Sequence, residues 1–246
     1  MFKNIAPIKK DSIMPLISKK VFVKTLGCKV NSFDSRVIEN QFIQSGCEIT
    51  SSAKNSDLIV INTCSVTQNA EKEARYLLRR YKRENPDATR IVTGCYAQVQ
   101  AKEIENLEEV DLVVDNEFKH EVVNRVKDLL SNTPNKKKIS VPTNKQKTYH
   151  FRSALTLFDK PMLEKTRATL KIQDGCNGFC AYCQIPYARG ASRSVSPLQV
   201  TSQVKNTIKE GISEIVLTGI DIGDYGKDLK EENSLSKITS DILQVE

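Results

Sequence analysis

Four short runs of apolar and β-branched residues recur through the first half of the chain: VFVKT (Val21 to Thr25), DLIVIN (Asp57 to Asn62), RIVT (Arg90 to Thr93) and DLVV (Asp111 to Val114). Runs of this length and make-up suit strands covered on both faces in a parallel sheet. Helical periodicity separates them. Phe33, Val37, Ile38 and Phe42 mark one face of a helix that Gly46 can end, and Ala70, Ala74, Leu77, Leu78 and Tyr81 mark another ahead of Pro86. Strand and helix alternating in this way predict a doubly wound α/β parallel-sheet domain over residues 20–132.

The pattern breaks over residues 133–165, where Pro134, the lysines at 136–138 and Pro142 stand among few apolar periods, and this stretch reads as a basic linker between domains. A second β/α series occupies residues 166–246. It begins with ATLKIQ (Ala168 to Gln173), passes a cysteine-rich loop, and enters a helix with Ser196 as N-cap and Pro197 at its first position. Val200, Val204 and Ile208 are expected on the core face of that helix, with Gly211 at its end. The next strand is EIVLTGID (Glu214 to Asp221), followed by a loop through Gly223, Asp224, Tyr225 and Gly226 and a last weak helix from about Leu235. No internal repeat is present.

At 246 residues and 39% hydrophobic content the chain can bury a sizeable core. No stretch approaches the roughly 18 consecutive apolar residues of a membrane helix. The start, MFKNIAPIKKDSIMPLISKK, lacks the apolar core and small-residue cleavage site of a secretory signal, so residues 1–19 are expected to be a short N-terminal extension of a cytoplasmic protein. The net charge of +7 is uneven: Asn132 to Lys171 holds ten Lys/Arg against two Asp/Glu, which is +8, and the remainder sums to −1. Such a segment suits a polyanion such as RNA through counterion release, or is simply a linker kept solvated by lysines. Seven cysteines, an odd number without an export signal, fit metal ligands or catalytic groups better than a disulfide framework.

Cys176, Cys180 and Cys183 lie in GCNGFCAYC, a C-x3-C-x2-C spacing just after a strand. Three thiolates on one loop can hold three irons of a cubane and leave the fourth iron open for a cofactor, because an all-cysteine cluster takes four. A zinc site or unrelated thiols are the alternative. Cys28 follows VFVKTLG, Cys64 follows DLIVINT and Cys95 follows RIVTG, so each sits just past the carboxyl end of an expected strand. Those ends share one edge of a parallel sheet, which gathers three cysteines far apart in sequence either as a metal site or as three unrelated small buried residues. Cys47 ends a helix toward the opposite edge and reads as structural. His120 and His150 read as ordinary surface residues, with no sign of a histidine-based triad.

The strings LGCKVN (Leu26 to Asn31), NTCSVT (Asn62 to Thr67), GCYAQ (Gly94 to Gln98) and LKIQDGCNGFCAYCQIPYARGASRS (Leu170 to Ser194) resemble, in order and separation, the radical S-adenosylmethionine methylthiotransferase family over about residues 20–230. The resemblance implies a truncated start of a radical S-adenosylmethionine partial (β/α) barrel after the α/β domain, and two 4Fe-4S clusters. Cys176, Cys180 and Cys183 would hold the one that binds S-adenosylmethionine and splits it to a 5′-deoxyadenosyl radical, and Cys28, Cys64 and Cys95 an auxiliary one serving sulfur insertion. It also implies that Tyr182, just before the third cysteine, lies against the cofactor's adenine. LTGIDIGDYG resembles the segment contacting the cofactor's amino group, which points to Gly219 or Asp221, although the usual glycine-glycine-glutamate form is absent. Arg189 and Arg193 flank Gly190 beside the cluster loop, as contacts to RNA phosphate or the cofactor carboxylate or as surface arginines.

The lysine of LGCKVN and the string IPYARGASRS are most similar to the branch acting on N6-threonylcarbamoyladenosine at position 37, in the anticodon loop of tRNA. The other branches act on isopentenyladenosine or on an aspartate of a ribosomal protein, and a non-catalytic iron-sulfur protein holding RNA is the rival from another class. An electron donor such as flavodoxin or ferredoxin is implied. The family continues past the position of Glu246 into later barrel strands and a β-barrel RNA-binding domain, so these 246 residues are expected to be inactive alone. Residues 20–130 are expected to fold by themselves, and the strand ending at Asp221 to present an unpaired edge.

Overall fold

The computed structural model describes residues 16–131, 139–140, 167–229 and 233–245. Its N-terminal part is a parallel sheet of β1 (Lys20–Thr25), β2 (Glu48–Ile49), β3 (Leu58–Thr63), β4 (Thr89–Gly94), β5 (Leu112–Val113) and β6 (Ile139–Ser140) in the order β2-β1-β3-β4-β5-β6. The four apolar runs are β1, β3, β4 and β5. The two-residue strands β2 and β6 were not foreseen, and β6 falls in the stretch expected to be linker, the rest of which lies outside the described residues together with His150 and residues 1–15.

Alternation along the strands divides the core. Ile59, Ile61 and Val92 face helix α2 (Gln68–Glu84) and the short helices α3 (Cys95–Val99) and α4 (Ala101–Glu105), packing with Leu77, Leu78, Tyr81, Tyr96 and Ile104. Leu58, Val60 and Ile91 face α1 (Lys29–Gln44) and α5 (Val122–Ser131), where Ile38, Phe42, Val122 and Val126 close the layer. Leu16, at the described end of the expected N-terminal extension, is buried in this layer, and the Cys47 thiol donates to its carbonyl at 3.3 Å. Cys47 is thus a structural cysteine.

Helix α1 serves two cores. Ile38 and Phe42 point to its own sheet, whereas Phe33 and Val37 pack with Leu170, Ile172, Val200, Val204, Tyr225 and Ile238 from the second β/α series. There β7 (Ala168–Lys171) pairs in parallel with β10 (Ile215–Thr218), and β8 (Gln173–Asp174) pairs antiparallel with β9 (Arg193–Ser194). Between them lie α6 (Ile185–Arg189) and α7 (Pro197–Lys209), and α8 (Leu235–Leu243) follows. Ser196 caps α7 through Gln199 N, with Pro197 at the first turn as the sequence predicts. Ile208 departs from expectation: it is 40% exposed, and Thr207 is buried instead. Steps of four residues drift about 40° per repeat around a 3.6-residue helix, so the 200–204–208 series leaves the core by its third member.

Gly94 adopts φ +101°, and a Cβ there would meet the Thr63 carbonyl oxygen at 2.3 Å. Gly94→Ala is therefore expected to destabilise the protein by more than about 1 kcal/mol, read as a lower denaturant midpoint. An unchanged midpoint would mean that the β4–α3 turn is not held as described.

Candidate functional site

The order β2-β1-β3 places a topological switch point between β1 and β3, where chain connections leave in opposite directions and α/β sheets bind ligands at the strands' carboxyl ends. Cys28 follows β1, Cys64 follows β3, and Cys95 opens α3 directly after β4. The sequence expectation that one sheet edge gathers them holds in the structure. Cys28 is exposed and stands as the N-cap of α1, the electropositive end of a 16-residue helix; Cys64 and Cys95 are buried.

Local chemistry fixes these positions. Gly27 turns with φ +97°, and a Cβ on it would lie 2.7 Å from Cys64 Cβ and 2.8 Å from its Sγ, so only glycine lets the β1–α1 loop lie against Cys64. Asn31 Nδ2 donates to the carbonyls of Leu26 at 2.7 Å and Thr63 at 2.9 Å, tying the two loops together. Asn62 Nδ2 returns bonds to Asn31 O and Ser35 Oγ, both at 2.9 Å. Thr63 Oγ1 donates to Thr93 O at 2.6 Å, which links β3 to β4 beside Cys64 and Cys95. Burial pushes the Cys64 thiol up, a hydrogen bond from Val66 pulls it down, and the neighbouring Cys95 and Cys28 push it up further.

Cys176, Cys180 and Cys183 occupy the loop between β8 and α6, with Cys180 exposed and the other two half-buried. Cys176 N donates to Gly190 O at 3.1 Å, Gly178 N to Cys176 Sγ at 3.3 Å and Cys183 N to Cys180 O at 3.0 Å. A Cβ on Gly178 would come within 3.6 Å of both the Cys176 and Cys180 sulfurs, so this glycine leaves room around two thiols of the loop. Tyr182 is fully exposed at φ +65°. Gly219 follows β10 against Gln173, whose Oε1 accepts from Ile220 N and Asp221 N at 2.9 Å and whose Nε2 donates to Gly175 O at 2.7 Å. Gln173 thereby joins the segment holding Gly219 and Asp221 to the base of the cysteine loop, a link that sequence reading missed.

The largest difference from expectation concerns Arg189 and Arg193, neither of which is at the surface. Arg189 is 2% exposed: Nη1 meets Asp174 Oδ1 at 3.0 Å, and Nη2 meets Asn31 Oδ1 at 2.8 Å and Asp34 Oδ2 at 3.1 Å. Arg193 pairs with Asp174 at 3.1 Å. Lys119 and Lys171 also reach Asp34, at 3.1 and 2.5 Å, and Lys171 reaches Asp174 at 3.1 Å. Burial in this network removes both arginines from any RNA contact. The cost of burying such charges is met only when each is paired and hydrogen-bonded.

Burial pushes the Asp34 carboxyl up, but Lys119, Lys171 and Arg189 overcome it and hold the group well below the usual carboxylate range. A depressed native pKa contributes stability above the unfolded value of about 3.9, and the contribution fades as pH falls toward the native value. Packing of α1 against β7 is thus expected to be unaffected at pH 5 and to weaken only below about pH 4, followed by hydrogen exchange of α1. Loosening that begins near pH 6 would assign the contact to a different titrating group.

Among the described residues no three His, Cys, Asp or Glu side chains converge into a ready-made metal cage. A cubane takes each thiolate on a separate iron, so its ligands need not converge on one point. The donor chemistry suits an iron-sulfur group: each set offers three sulfurs, and the first has a buried cationic network beside it. Arg189 Nε in that network is a buried donor with no partner among the described residues.

Residues 20–115 match the model of the uncharacterized protein family UPF0004, and residues 170–244 match that of the radical SAM superfamily. The second match makes the cysteine loop that of a radical S-adenosylmethionine protein. Similar proteins include the threonylcarbamoyladenosine tRNA methylthiotransferases MtaB of Aquifex aeolicus, 38% identical over 92% of this chain and 53% of that one, and of Bacillus subtilis, 38% identical over 89% and 47%. A tRNA-2-methylthio-N(6)-dimethylallyladenosine synthase of Natranaerobius thermophilus is 31% identical over 93% and 50%. The chain belongs to the radical S-adenosylmethionine methylthiotransferase family. It spans about half the length of the curated relatives it matches. In fold it is similar to the radical S-adenosylmethionine methyltransferase TsrM of Kitasatospora setae, with a TM-score of 0.52 and 13% identity over 84% of this chain and 48% of that one. No helix among the described residues is long and apolar enough to cross a membrane.

Proposed function

We propose that the protein adds a methylthio group to C2 of N6-threonylcarbamoyladenosine at position 37 of tRNA, in the cytoplasm, with S-adenosylmethionine and two 4Fe-4S clusters. The observation that carries this reading is the pair of three-cysteine sets at either side of the Arg189–Gly190 turn. Cys176, Cys180 and Cys183 would hold one cluster, and Cys28, Cys64 and Cys95 the other. When bound and reduced by a donor such as flavodoxin or ferredoxin, the first group supplies the single-electron cleavage of S-adenosylmethionine needed to attack an unactivated ring carbon.

The remaining work falls to this chain's own residues. Exposed Tyr182 would cover the cofactor's adenine, and Gly219 and Asp221 would meet its amino group, with Gln173 fixing their backbone. The choice of threonylcarbamoyl over dimethylallyl substrates is supported by a cavity of about 330 Å³ between α1 and β7, lined in part by Lys29, Ser32, Arg36, Glu39 and Arg167. Lys29 and Arg36 suit the carboxylate of a threonylcarbamoyl group, which a dimethylallyl group lacks. Lys29 directly follows Cys28.

Nucleoside mass spectrometry of tRNA tests the substrate. Expression of the full-length gene product in a host lacking its own enzyme is expected to yield 2-methylthio-N6-threonylcarbamoyladenosine, and a methylthio group only on dimethylallyladenosine would remove the substrate claim. The double change Lys29→Gln with Arg36→Ala is expected to lower product by about tenfold or more at unchanged iron content. Undiminished product would exclude the cavity from recognition.

A further inference from the structure

Arg189 touches both cysteine sites while belonging to neither. Its Nη1 holds Asp174, two residues before Cys176, and its Nη2 holds Asn31 and Asp34 on the helix that Cys28 caps. The next residue, Gly190, accepts the Cys176 amide at 3.1 Å. The preceding residue, Ala188, accepts from Asn116 Nδ2 at 2.7 Å, and the same nitrogen lies 3.7 Å from Cys95 Sγ. One turn of chain thus connects the first residue of the C-x3-C-x2-C loop to the loops of Cys28 and Cys95. A guanidinium forks between two carboxyl groups in a fixed plane, which a lysine cannot do.

The same cluster of charges is unbalanced. Among the described residues, Lys119, Lys171 and Arg189 share the two carboxylates Asp34 and Asp174, three cations to two anions in a largely buried place. Arg189 Nε–H is left without a partner among the described residues although the side chain is 2% exposed. Buried donors are nearly always satisfied, so an unpaired one beside a surplus of positive charge marks the place of an anionic acceptor. The thiolates and sulfides of an iron-sulfur group on the adjoining cysteines are such acceptors, and hydrogen bonds and net charge around the sulfurs set the potential of such a group.

We propose that Arg189 is a positioning residue shared by both sites: its two terminal nitrogens fix the separation of the cysteine sets, and its Nε–H and charge stabilise the reduced form of an iron-sulfur group held by Cys28, Cys64 and Cys95. This rests on the cluster assignment made above. It also explains why a protein would keep so costly a buried charge network where its two β/α series meet.

The test uses the chain with Cys176, Cys180 and Cys183 all changed to Ala, so that any iron reports on the other site alone. In that background R189Q is expected to shift the reduction potential, followed by electron paramagnetic resonance, to a more negative value, and R189K to restore most of it by returning the charge. Without metal, both variants are expected to lose hydrogen-exchange protection over α1, because neither side chain reproduces the fork. A structural role alone would alter exchange in both and leave the potential where it was. An unchanged potential in R189Q at normal iron content, or unchanged protection in both variants, overturns the proposal. Should R189Q fail to fold, R189K decides through exchange: full protection there contradicts the fork. Failure of the triple-alanine background to take up iron and sulfide overturns the cluster assignment itself, a result distinct from iron uptake with an indifferent Arg189.

Discussion

Changing Cys176, Cys180 or Cys183 to Ala is expected to reduce 5′-deoxyadenosine formation by the full-length gene product to background, whereas Cys28, Cys64 or Cys95 to Ala leaves a measurable part of it and removes methylthio transfer. The asymmetry follows from placement. The C-x3-C-x2-C loop sits beside Gly219 and Asp221 through Gln173, where the cofactor contacts are proposed, so loss of one of its three sulfurs strikes cleavage directly. The other three cysteines lie at the ends of β1, β3 and β4, across the Arg189 turn, and would act on a later event. Chromatography of the nucleoside and mass spectrometry of tRNA read the two outcomes separately. Equal loss of both products in both sets of variants would contradict the division of roles.

Asp34→Ala should be the most damaging single change outside the cysteines. Asp34 is 5% exposed and accepts from Lys119, Lys171 and Arg189. Removing it takes the carboxylate from Lys119 and leaves Lys171 and Arg189 to Asp174, and breaking a buried ionic cluster by deleting one partner costs about 3–5 kcal/mol. Asp34→Asn, which keeps an oxygen acceptor but not the charge, should fall between. Chemical denaturation measures both. A loss below about 1 kcal/mol for Asp34→Ala would mean that the cations relax into solvent and that the network does little to join α1 to β7.

The elements of the fold were legible because both series consist of short apolar strands and periodic helices, and parallel topology carries the strand ends to one edge. That alone brought Cys28, Cys64 and Cys95 together. What stayed hidden was polar. Asn31, Asp34 and Ser35 look in sequence like solvent positions on α1, yet all three are buried. Lys171 and Arg189, which reach Asp34, and Arg189, which also reaches Asn31, come from more than a hundred residues away, and no periodicity reports a salt bridge that spans two units. The apolar face of α1 was read as one stripe for the same reason: Phe33 and Val37 answer to a second core that the helix's own sequence cannot announce. Arg189 gave one local signal, its place next to Gly190 beside the cysteine loop, but position alone could not tell a buried guanidinium from an exposed one.

Metal and sulfide content of the anaerobically purified, reconstituted chain tests the central claim most directly. Two cubanes predict about eight irons and eight sulfides per chain, falling to about four of each when either cysteine set is changed to Ala. Zinc without sulfide, or complete loss of iron on removing one set alone, would contradict the assignment of two iron-sulfur sites.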